Sequence, residues 1–61
     1  GNNQVSLINF ENTAGEVKAI FQSEEIPQLE QTQLKIEGMA LPELSADIDE
    51  KKKTLTVVFK E

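Results

Sequence analysis

The sequence predicts an all-β domain: about five short, mostly antiparallel strands in a meander, forming a small sheet, sandwich or barrel. An α+β fold with one short helix near residues 23–30 is the alternative. Three observations lead there. Apolar and polar residues alternate with a period of two in most of the chain, as half-buried strands require. Gly, Pro and Asn punctuate the alternating runs. Two pairs of runs also fold onto each other with their apolar residues in register.

Gly1–Gln4 is polar and expected to fray. Val5–Phe10 reads as a first strand and Glu16–Gln22 as a second, joined by the turn Glu11–Gly15, where Asn12 tolerates and Gly15 favours left-handed geometry. Setting Val5 opposite Phe21 and Leu7 opposite Ala19 closes a hairpin. Its second face would then carry Ile8, Phe10 and Ile20, making the hairpin apolar on both sides. Either another layer covers that face, as in a sandwich, or it is exposed and docks a partner.

Ser23–Glu30 reads as a loop with at most one helical turn. Ser23 could cap a helix, but Pro27 falls where a helix interior would suffer, so Ile26 and Leu29 are expected to dip inward as plugs. Gln31–Glu37 is read as a third strand with Leu34 and Ile36 inward, ended by Gly38. Met39–Pro42 links it to the strongest signal in the chain, Glu43–Lys60. There Leu44, Ala46 and Ile48 alternate in one arm and Leu55, Val57 and Phe59 in the other. Folding the arms pairs Leu44 with Phe59, Ala46 with Val57 and Ile48 with Leu55. The turn Glu50–Lys53 lacks Gly and Asn, which favours a four-residue loop over a two-residue one. The predicted core is Val5, Leu7, Val17, Ala19, Phe21, Leu34, Ile36, Leu44, Ala46, Ile48, Leu55, Val57 and Phe59.

Sixty-one residues make one small β-rich domain. That core is thin against an ordering entropy of roughly 1.5 kcal/mol per residue. With no Cys and no His, disulfides and an ordinary zinc site are excluded. The same absence removes the usual nucleophile–base pairs, so the chain is not expected to be an enzyme, and no cofactor or metal is implied. Asp47, Asp49 and Glu50 lie close together, but without EF-hand spacing and beside Lys51–Lys53 they read as a solvated face. The lysines themselves read as a solubilising hairpin tip. Residues 1–50 hold ten acids against Lys18 and Lys35, a charge of −8, whereas residues 51–61 carry +3. An acidic body with three Phe, no Tyr and no Trp is a poor nucleic-acid surface. No run is long enough to span a membrane, and no small-molecule substrate is evident.

The chain opens on Gly1 rather than Met, which suggests excision from a longer protein or processing. The expectation is a non-catalytic protein-interaction or assembly module, self-associating or with a protein partner. Its interface residues would be Ile8, Phe10, Ile20 and Val58, and its parent a bacterial exported, surface or phage-related protein. A small acidic inhibitor of a basic protein is the alternative. The sequence does not distinguish an exported from a cytoplasmic compartment.

Overall fold

A computed structural model describes residues 5–61; the expectation for Gly1–Gln4 lies outside them. Four strands and one helix follow in the order β1 (Ser6–Thr13), β2 (Glu16–Gln22), α1 (Ile26–Glu37), β3 (Ser45–Asp49) and β4 (Thr54–Lys60). The strands form one open antiparallel sheet, β1-β2-β4-β3. The fold is therefore mostly β with one helix, the α+β alternative. There is no fifth strand among the described residues and no second sheet.

The β3–β4 hairpin has the register expected from its alternation, with Ala46 opposite Val57 and Ile48 opposite Leu55. Leu44 and Phe59 both pack against the core just beyond the last pair. The turn is four residues long. Lys52 N–H donates to Asp49 Oδ1 at 3.0 Å, and Lys53 closes the loop in left-handed geometry at φ 58°.

The β1–β2 hairpin departs from expectation. Its turn is the two-residue Ala14–Gly15, both at positive φ as a primed turn requires, with Thr13 opposite Glu16. Asn12 lies in the strand instead of the turn. Leu7 pairs with Phe21 and Phe10 with Ala19, with a β-bulge at Ile8 between them. One extra residue reverses the alternation beyond it, so Leu7 and Phe10 share a face although they are three apart.

The expected strand Gln31–Glu37 is the second half of a helix. Pro27 stands in its first turn, where a missing N–H costs nothing, rather than in its interior. Ile26, Leu29, Gln33 and Ile36 recur at intervals of three, four and three, which places them on one helical face. Leu29 is fully buried, whereas Leu34, expected inward, is 67% exposed on the outer side. Gln33 interrupts the apolar stripe, yet its side-chain amide donates to Ala46 O at 2.7 Å and ties α1 to β3. Ser23 is buried, but its hydroxyl accepts from Glu25 N–H, one residue before the helix. The helix runs out through Gly38 to Ala40, whose left-handed φ of 54° ends it.

Reading across the strands, three rows face the helix side: Leu7–Phe21–Leu55–Ile48, Phe10–Ala19–Val57–Ala46 and Asn12–Val17–Phe59. α1 lies over β3 and β4, and Leu29 meets Ala46, Leu55 and Val57 there as the core. Leu7, expected in the core, remains 54% exposed because no helix covers β1.

Candidate functional site

The half of the sheet that α1 does not cover forms an apolar groove of about 350 Å³. Leu7 and Phe10 supply the β1 side, Phe21 and Phe59 the floor, and Met39 and Leu41 the wall after the helix. All ten lining residues are apolar. Phe10 is 58% and Met39 63% exposed, so two large side chains stand open to water at the mouth.

Each wall has a local cause. The bulge at Ile8 brings Phe10 onto this face. Met39–Leu41 belongs to the link between α1 and β3, which turns twice through left-handed geometry, at Ala40 and at Glu43 (φ 52°), neither of them Gly. Such positions cost of order 1 kcal/mol each and gather at binding sites. Beyond them Lys60 N–H donates to Pro42 O at 2.9 Å and anchors the segment to β4.

The opposite face of the sheet is mostly polar. Its rows are Ser6–Gln22–Thr54–Asp49, Asn9–Ile20–Thr56–Asp47 and Glu11–Lys18–Val58–Ser45. The four expected interface residues therefore do not form one patch. Ile20 and Val58 lie half-buried on this polar face, Ile8 sits in the bulge and lines no part of the groove, and Phe10 is on the other side. The hairpin is not apolar on both faces. Met39 and Leu41 were missed as site residues because both lie in a link without periodicity.

Charged groups stand away from the groove. Lys60 pairs with Glu16 at 3.3 Å, and Lys53 with Glu24 at 2.9 Å. Hydrogen bonds from Lys53 and then from Gln22, with the Lys53 charge behind them, hold the Glu24 carboxyl below the ordinary glutamate range. No group of three acidic side chains is placed to hold a metal ion among the described residues. No helix among them is long and apolar enough to cross a membrane. The groove can offer dispersion contact and water exclusion, and its lining holds no acid, base or nucleophile. No family model matches this chain, and neither the curated proteins nor the solved structures give a match to it.

Proposed function

We propose that this chain is a non-catalytic interaction or assembly module that binds protein through the apolar groove between β1, β2 and the segment after α1. The observation that carries the proposal is the continuous apolar groove beside α1, with Phe10 and Met39 open to water at its mouth. Burial of apolar area returns about 25 cal/mol per Å², so covering two such side chains is a large gain for so small a domain. The support for an acidic inhibitor is the charge of −8 over residues 1–50 together with the short chain.

The test compares the immobilised wild-type chain with Phe10→Asp in capturing protein from the source cells. A partner held by the wild type in high salt and lost with Phe10→Asp is expected. Capture unchanged by Phe10→Asp and abolished by salt would overturn the groove and favour the acidic surface.

A further inference from the structure

We infer that a protein partner reaches the groove by adding one extended strand, antiparallel, to the free edge of β1 over Asn9–Thr13; this rests on the chain being an interaction module. The backbone of the sheet points to that edge. A two-residue turn makes its flanking pair, Thr13 and Glu16, a hydrogen-bonded one. Antiparallel pairs alternate between bonded and non-bonded, so Asn12–Val17 and Phe10–Ala19 are non-bonded pairs. The N–H and C=O of Phe10 and Asn12 therefore point away from β2, to solvent. The same count carried across β2 and β4 makes Ala46–Val57 a non-bonded pair, which turns Ala46 O outward from the opposite edge. That oxygen does accept from outside the sheet, from the Gln33 amide at 2.7 Å.

The two edges thus differ. At β3, α1 caps an outward carbonyl, and Asp47 and Asp49 stand on the strand. Along β1, no side chain bonds to the backbone among the described residues, and the bulge at Ile8 leaves Asn9–Thr13 regular. The geometry also fixes what the partner presents. Residues directly opposite in an antiparallel ladder share a face, so those opposite Phe10 and Asn12 lie on the groove side. The one opposite Phe10 covers part of that exposed side chain and is best apolar. The residue between them faces Glu11 on the polar side, in a chain of net charge −5, and is best Lys or Arg. An extended segment alternating apolar and basic residues fits. The contact is short, and main-chain hydrogen bonds rather than buried area carry its affinity.

Fluorescence anisotropy of labelled Lys-Val-Lys-Val-Lys-Val-Lys tests this, beside two isomers N-methylated at the Val or at the internal Lys nitrogens. The Val N–H groups are those that would meet the carbonyls of Phe10 and Asn12. Methylating Val should weaken binding about tenfold or more, and methylating Lys by less than about twofold. Asn12→Pro removes an outward N–H, costs no bond of the β1–β2 ladder and lies outside the groove lining. It should stay folded by circular dichroism and lose the peptide. The methylated peptides leave the protein unchanged, so they decide the matter even where the proline variant misfolds. Equal binding of the parent and Val-methylated peptides would overturn strand addition. So would loss on Lys methylation alone, or no binding of the parent up to about 1 mM. If Asn12→Pro still captures from the source cells a partner that Phe10→Asp loses, strand addition is wrong and the groove stands as the binding surface.

Discussion

Leu29 and Leu34 differ by five positions and by nearly the whole range of exposure, 0% against 67%. On a helix, five residues turn a side chain about 140° from where it began, so one leucine is enclosed and the other wet. Leu29→Ala removes the centre of the core and is expected to cost about 2–5 kcal/mol, enough to unfold much of so small a domain. Leu34→Gln should leave stability within about 0.5 kcal/mol of the wild type. Urea titrations of the two variants check both. A loss at Leu34 as large as that at Leu29 would restore the strand over Gln31–Glu37.

Between elements, the turns carry identifiable strain and identifiable ties. Ala14 holds φ 55° in the β1–β2 turn, where a Cβ is unfavourable and Asn is favoured before Gly15. Ala14→Asn is expected to stabilise by up to about 1 kcal/mol, read as a rise in thermal midpoint; a fall would contradict the turn. The loop after β2 is tied to the β3–β4 turn twice. Ser23 N–H donates to Lys53 O at 3.2 Å, and Lys53 Nζ donates to Glu24. Glu24 has a lower pKa folded than unfolded, so its contribution is present above the unfolded value and fades as pH falls through the folded one. Both side chains are largely exposed and the effect is small. Denaturation midpoints of wild type and Glu24→Gln are expected to differ at neutral pH and to converge below the ordinary glutamate range. A gap that persists unchanged into acid would show that the charge of Glu24 is not what the substitution removed.

Across the whole molecule, one helix of 12 residues serves a sheet of four strands. It packs on β3 and β4 and leaves β1 exposed, while Val17 and Ala19 of β2 are buried on the floor between, and the groove is the remainder of that mismatch. The two sheet edges also differ. β3 is short, exposes Asp47 and Asp49, and is braced by Gln33, whereas β1 is eight residues long, wholly exposed and carries a single charge, Glu11. Charges and brevity protect an edge from unwanted pairing, and a bulge twists one away. β3 uses the first two devices and β1 mainly the third. The least defended edge, β1, is therefore the one beside the apolar groove, which is where partner capture is to be measured.

The residue order alone determined the β3–β4 hairpin, its register and the length of its turn, because strict alternation over two arms allows one pairing that buries both. It also identified β2 and the inward direction of Ile26 and Leu29. It offered a helix only as the alternative near residues 23–30 and did not carry it through Gln31–Glu37, because the third place of the helical stripe is Gln33, a polar residue whose partner, Ala46 O, lies 13 residues away. Nor did it place Phe10, since a bulge leaves no mark in the pattern and is set by how β1 meets β2. The groove depends on both features, on where the helix lies and on which way Phe10 turns, and each is decided by contacts between segments distant in the chain.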